Sequence, residues 1–197
     1  MIKTIEDLKR YLDLDCKALK ASTSHLRIKQ LLWPNEVLKF ERLLRFAEYY
    51  TNTRRGGLKG LLKMPAYLYY KYRLKKQSLK LGFSIPCNVF GPGLSIAHYG
   101  TIVVNSATRV GANCRIHASV NIGTSGGGNN APQIGDNVYI GPGAILFGDI
   151  KIADNVTIGA NATVNKSFDK EHVVLAGSPA KIVKEDCPSW VEFNKIK

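Results

Sequence analysis

The chain has 197 residues, 45% hydrophobic and 22% charged, which excludes a disordered or fibrous protein and fits one domain or a small core with an appendage. Twenty-eight Lys and Arg against fifteen Asp and Glu leave a net charge of +13, which attracts anions at long range and decides nothing about the fold. No stretch reaches the ~18 apolar residues of a membrane span. The opening MIKTIEDLKR lacks an apolar signal core, so a cytoplasmic location is expected, with room for a peripheral place at the inner face of the membrane. Cys16, Cys87, Cys114 and Cys187 are scattered singly, without C-x-x-C or a nearby His at ligand spacing, and read as reduced thiols.

In chain order, Thr4 with Asp7 reads as a capping box, and Ile5, Leu8, Leu12, Cys16 and Leu19 fall on one helical stripe. A second helix starts with Pro34 in its first turn and keeps its period through Val37, Phe40, Leu44 and Ala47. It stops at Thr51-Asn52-Thr53 and Gly56-Gly57. Pro65 opens a third, in which Tyr67, Tyr70, Leu74 and Leu81 share a face, Lys71, Lys75 and Lys76 fall elsewhere, and Gly82 supplies the stop. That stripe either packs on the neighbouring helices or lies on a membrane surface with its lysines at the headgroups. These helices make up an N-terminal region over 1–82.

Charge is concentrated. No acidic residue occurs from 49 to 135, while eleven Lys and Arg do, nine of them between Arg54 and Lys80. Such a density suits phosphates, an anionic glycan or an anionic membrane, or else a plain solvated face. Nucleic acid is not expected, since no binding motif accompanies the charge and the aromatics crowd one helix.

From residue 83 the period changes. Val104, Val110, Ile116 and Ile122 are six apart, and after a gap of twelve the row resumes at Ile134, Ile140, Leu146, Ile152, Ile158 and Val164. A small or aliphatic residue stands two positions before each, with Pro132 the exception, and Gly follows several, with Asn113, Asp136, Asp154 or Asn161 at the expected corners. A period of six suits neither a helix nor a sandwich. It predicts a parallel β-helix over 83–183, three short strands to a coil of eighteen residues, with 184–197 as a tail. The row is interrupted by a loop, 123–133, whose Gly126, Gly127 and Gly128 allow close approach of a ligand or another chain, and whose Asn130 offers a polar contact; a simple excursion is the other reading.

His98 and His117 are nineteen residues apart, so they should lie on neighbouring coils and can share a cleft. Two histidines without an adjacent carboxylate are a poor metal site, and no metal is expected. Strict phase puts His98 in the aliphatic row, six before Val104, which would bury it as a core histidine; a phase break at Gly100 would instead turn it outward.

The segments LSIAHYGTIVV, IGTSGGG with IGPGA, and AGSPAKIV resemble the hexapeptide-repeat acyltransferases, and among them the serine acetyltransferase-like branch. The resemblance spans Leu94 to Val183. It implies a left-handed parallel β-helix, a homotrimer with sites between subunits, acetyl-CoA as donor and His98 as general base. It further implies coenzyme A contacts at Gly123, Thr124, Pro142, Ala160, Lys166, Ser178 and Lys181, with Thr124 and Lys166 equally readable as turn and surface residues.

Departures from that branch shape the expected acceptor. The Asp fifteen residues before the catalytic His is replaced by Phe83, the Asp just before it by Ala97, and the Arg-His pair before Pro in the loop by Asn130-Ala131. With no carboxylate for an ammonium, the expected acceptor is a saccharide hydroxyl of a capsule, exopolysaccharide or lipid-linked glycan, with His117 and Asn130 as polar contacts. A backbone carbonyl, His117 or a carboxylate from elsewhere in the trimer, such as Asp136 or Asp149, is left to orient the imidazole. Serine acetylation and a non-catalytic scaffold are the alternatives.

Overall fold

A computed structural model describes residues 1–19, 35–54 and 57–195; the expected place of Pro34 in a first turn lies outside them. Helix α1, Ile5–Ala18, starts at the capping box: Asp7 N donates to Thr4 Oγ1 (3.0 Å) and Thr4 N to Asp7 Oδ2 (3.1 Å). Helix α2, Glu36–Thr53, is capped by Asn35, whose Oδ1 accepts from Leu38 N (3.0 Å), and buries Val37, Phe40, Leu44 and Ala47 on the expected stripe. A five-residue helix α3, Leu58–Leu62, follows Gly57 and is too short to show a period in the sequence. Helix α4, Met64–Leu81, ends at Gly82, whose φ of 79° is the left-handed C-cap expected of glycine. Its tyrosine face packs inward: Tyr70 stacks on Phe46 (4.8 Å) and on Tyr50 (5.3 Å), and Arg54 lies over Tyr67.

The repeat winds into a prism. Its first face stacks Phe83–Ser84, Ile102–Val104, Asn121–Gly123, Ile145–Phe147 and Thr163–Val164. The second stacks Arg109–Val110, Gln133–Ile134 and Lys151–Ile152, and the third Ser95–Ile96, Arg115–Ile116, Tyr139–Ile140, Thr157–Ile158 and Val174–Gly177. All these pairings are parallel. Val104 pairs with Ile122 and Ile140 with Ile158, an offset of eighteen, whereas Ile116 pairs with Ile140, an offset of twenty-four, so the loop inserts six residues into its coil.

Every residue of the aliphatic row is buried, as are the residues two positions before them, so two side chains per strand fill the prism. Each large aliphatic contributes about 1.5–3 kcal/mol by leaving water. The corners are turned by Asn113, Asn137, Asn155 and Asn161, all with φ between 54° and 61°; three are linked side chain to side chain along one edge, Asn113 Nδ2 to Asn137 Oδ1 and Asn137 Nδ2 to Asn155 Oδ1, each 2.9 Å. Stacking ends where Ala180–Lys184 turns back antiparallel on the last strand of the third face. The following segment folds over that face, and Trp190 Nε1 donates to Asn113 O (2.8 Å).

Buried charge fastens the helices to the first coil. Arg45, fully buried, donates to Asp15 and Glu48 and to the carbonyls of Phe90 (2.9 Å) and Gly91 (2.6 Å). Asp15 in turn accepts from Gly93 N and Leu94 N, and Glu41 from Ile96 N. Amides and carbonyls of a terminal coil have no further coil to pair with, and these side chains satisfy them.

Candidate active site

Ile96, not His98, occupies the aliphatic row in the first coil. It pairs with Ile116, an offset of twenty, so the stretch after it carries two residues more than a regular coil. Gly100 takes up the irregularity with φ 134°, and its N donates to Leu81 O (3.0 Å) where α4 ends. Thrown out of phase by two, His98 is exposed at the corner where the third face passes into the first, and the core-histidine reading falls.

His98 opens into a cleft of about 450 Å3 between prism and helices. Ala97, His98 and Tyr99 form one wall; Asn35, Glu36 and Val37 from the start of α2 and Lys80 and Leu81 from the end of α4 form the other. His117 lies one coil on, its ring centre 6.1 Å from that of His98 and 5.0 Å from that of Tyr139. The two histidines are therefore neighbours, as their spacing requires. Half-buried His117 has its Nε2 shut from solvent with no hydrogen-bond partner among the described residues. Burial, then the charges of Arg115 and His98, push its pKa below the usual histidine value, so this imidazole is neutral at pH 7.

Glu36 is the charged group that sequence reasoning missed. Its Oε1 accepts from Lys80 Nζ (2.6 Å) and its Oε2 from Gln77 Nε2 (2.7 Å), with Lys39 Nζ at 3.6 Å. The hydrogen bonds from Lys80 and Gln77 hold its carboxyl down to about 2, so it is ionised at any physiological pH. Nothing in the sequence links residue 36 to residue 98; only the docking of α2 and α4 on the first coil joins them.

The remaining expected site residues separate along two edges. Pro142, Ala160 and Ser178 follow the third face, on the same edge as His98; Asn161 N donates to Pro142 O (2.9 Å), and Ser178 Oγ to Thr163 Oγ1 (2.9 Å). Gly123, Thr124 and Lys166 follow the first face, across that face from the others, and Lys166 Nζ lies over the Phe168 ring (5.4 Å). Lys181 is exposed on the final strand. Asn130 is bonded within its own chain, Nδ2 to Asp149 Oδ2 (2.8 Å), and Ala131 beside it is buried. Asp136 and Asp149 stand on the other two corners, so neither reaches along the edge of its own chain to His98. Among the described residues no group of three or more His, Cys, Asp and Glu is arranged to hold a metal, and no helix is long and apolar enough to cross a membrane.

Residues 131–166 match the family described as bacterial transferase hexapeptide (six repeats). The serine acetyltransferase of Mycobacterium tuberculosis is 38% identical over 106 residues, 53% of this chain and 46% of that protein. The serine acetyltransferase of Staphylococcus aureus is 41% identical over 98 residues, 49% of this chain and 46% of that protein. The chain thus spans about half the length of the curated relatives it matches. Among solved structures, serine acetyltransferase from Brucella abortus superposes with TM-score 0.69 at 24% identity, covering 92% of this chain and 70% of that one. Serine acetyltransferase from Neisseria gonorrhoeae gives 0.70 at 23%, covering 97% and 72%. These likenesses show the fold: a left-handed parallel β-helix preceded by α-helices.

They also correct the expected acceptor. The relatives and neighbours are serine acetyltransferases, and none supports a saccharide hydroxyl. The saccharide reading rested on the replacement of charged positions at Phe83, Ala97 and Asn130-Ala131, and those positions leave out Glu36, which the fold brings to the cleft.

Proposed function

We propose, from the premise that this chain is a hexapeptide-repeat acyltransferase of the serine acetyltransferase-like kind, that it moves the acetyl group of acetyl-CoA to the hydroxyl of L-serine. The observation that carries the reading is that the exposed His98 and the ionised Glu36 line one cleft. The His98 imidazole takes the proton from the serine oxygen as that oxygen attacks the thioester carbonyl. The C–S bond then breaks, and coenzyme A leaves as the thiol with the proton returned by the imidazolium. Main-chain N–H groups hold the oxyanion in between.

Glu36 and Lys80 give the amino acid what Ala97 and Ala131 do not: a carboxylate for the ammonium and an ammonium for the carboxylate. His117, neutral at pH 7, serves as a second polar contact beside His98. In this reading the active unit is a homotrimer. The edge bearing His98, Pro142, Ala160 and Ser178 meets the neighbouring chain's edge bearing Gly123, Thr124 and Lys166, and acetyl-CoA lies between them with Lys181 near its outer end. Asn130 of the loop faces the acceptor. A cytoplasmic location agrees with the donor. The neighbour from Neisseria gonorrhoeae has also been solved in complex with serine, with TM-score 0.66 and 24% identity.

The test is thiol release from acetyl-CoA with L-serine offered. Turnover with serine is expected, and His98→Ala should lower kcat by about 10² to 10⁴ while coenzyme A affinity is kept. Glu36→Gln should raise KM for serine and leave the affinity for coenzyme A alone. Coenzyme A binding without any serine-dependent thiol release would overturn the acceptor, and no coenzyme A binding by calorimetry would overturn the enzyme reading in favour of a scaffold.

A further inference from the structure

Helix α4 has two unlike faces. Leu74, Gln77 and Leu81 are buried, whereas Leu68, Tyr72 and Leu79 are 57%, 67% and 71% exposed. At ~100° per residue, Pro65, Leu68, Tyr72 and Leu79 fall within an arc of roughly 60°, opposite Leu74 and Leu81. One exposed leucine is ordinary; an apolar ridge along a helix roughly 27 Å long is not. The short α3 just before it adds exposed Leu61 and Leu62.

Cations border the ridge on both sides. One groove beside it is lined by Lys71, Lys75 and Leu79, and the other by Tyr72, Arg73, Lys76 and Lys80. Around 720 and 660 Å3, both are wide enough for a phosphate-bearing headgroup. The carboxylate bonded to this helix among the described residues is that of Glu36, on Lys80 and Gln77, leaving Lys71, Lys75 and Lys76 on the flanks with no acidic residue between 49 and 135.

We propose that this face of α4 docks on an anionic phospholipid membrane, its ridge at the boundary of headgroups and acyl chains and its lysines on lipid phosphates. Charge selects this occupant. Two copies meeting through the face would crowd their cations together on chains already at +13, whereas anionic lipid neutralises them. A leucine ridge gains nothing from a nucleic-acid backbone but leaves water when it enters a membrane interface. The inference stands apart from the acetyl-transfer reading and survives its failure.

The experiment is co-sedimentation of the full chain with vesicles of phosphatidylcholine alone and of phosphatidylcholine mixed with phosphatidylglycerol. Binding is expected on the anionic vesicles only, weakening as salt is raised. Lys75→Ser with Lys76→Ser should lower the partition coefficient about fivefold for each lysine removed, about 25-fold together. Leu68→Ser, Tyr72→Ser and Leu79→Ser combined should abolish binding while the mass in solution stays as it was; all five side chains are exposed, and circular dichroism checks that the variants are folded. Equal binding to both vesicle types, or unchanged binding by the lysine variant, would overturn the proposal. A smaller assembly in the ridge variant would assign the face to contacts between copies, and an oligonucleotide that binds with the same dependence on the ridge would assign it to nucleic acid; either result overturns the membrane.

Discussion

Replacing Arg45 by Met tests whether buried charge ties the helices to the prism. The guanidinium is fully buried and makes five hydrogen bonds: Nε and Nη2 to Asp15 (2.7 and 3.2 Å), Nη1 to Glu48 (3.0 Å), Nη1 to Phe90 O (2.9 Å) and Nη2 to Gly91 O (2.6 Å). Burial alone would weaken its basicity, but Glu48 and Asp15 more than offset this and hold it firmly charged. Met matches much of the volume and none of the polarity, leaving two buried carboxylates and two carbonyls short of a donor. Asp15 keeps the amides of Gly93 and Leu94, and Glu48 keeps that of Asn88, so the carboxylates are only partly stranded. Breaking a buried pair of this kind costs about 3–5 kcal/mol. At about 2–4 °C per kcal/mol for a chain of this size, the melting midpoint should fall by roughly 6–20 °C. Adding Asp15→Asn and Glu48→Gln to Arg45→Met removes the stranded charge and should restore part of the loss. A midpoint that moves by less than about 2 °C in Arg45→Met, or a triple variant less stable than the single one by a further several degrees, would refute the electrostatic reasoning.

Two more outcomes follow from buried positions. Glu41 accepts from Ile96 N with one oxygen while the other has no partner, and burial first, then Asp15, raise its carboxyl above the usual range. Its neutral form is the stable one in the fold, so as pH rises past the unfolded value of about 4.3 the native state is progressively disfavoured, until it too ionises. Glu41→Gln keeps the acceptor and does not titrate; its stability relative to the parent should grow with pH above ~4.3, by up to about 1.4 kcal/mol per unit, in urea melts from acid to neutral pH. A difference independent of pH would sink this reading. Gly141→Ala puts a methyl 2.8 Å from Ala160 N and 2.9 Å from Gly159 C and Ile158 O, all main-chain atoms of the next coil. Overpacking there should cost about 1–3 kcal/mol in chemical denaturation, and an unchanged transition would mean that the coils can part without penalty.

The prism was legible because its information is periodic and local. A side chain every sixth residue that must point inward, and an Asn or Gly that must turn a corner, are visible one coil at a time; the burial of Ile102, Thr108 and Cys114 beside Val104, Val110 and Ile116 repeats what the spacing required. The capping box at Thr4 and the glycine stop at Gly82 are likewise short-range statements about unpaired amides and φ. The neighbourhood of His98 and His117 followed from counting coils, but the direction of His98 did not. Two extra residues shift the first coil, and a count of sixes cannot tell where a strand re-enters register; backbone pairing of Ile96 with Ile116 decides it.

Only the tertiary structure could supply the other half of the cleft. Glu36 and Lys80, forty-four residues apart, come from α2 and α4, which meet against each other and the first coil; their pairing depends on how Phe40, Leu44, Leu74 and Phe83 pack, not on any spacing in the chain. The saccharide expectation fails for the same reason: Phe83, Ala97 and Asn130-Ala131 are features of local sequence, whereas charge reaches a site through space. Sequence alone therefore determined the repeating backbone and its corners. Long-range packing decided which ionised groups line the cleft with the imidazole, because a hydrophobic core sets the positions of helix ends that no local preference can specify.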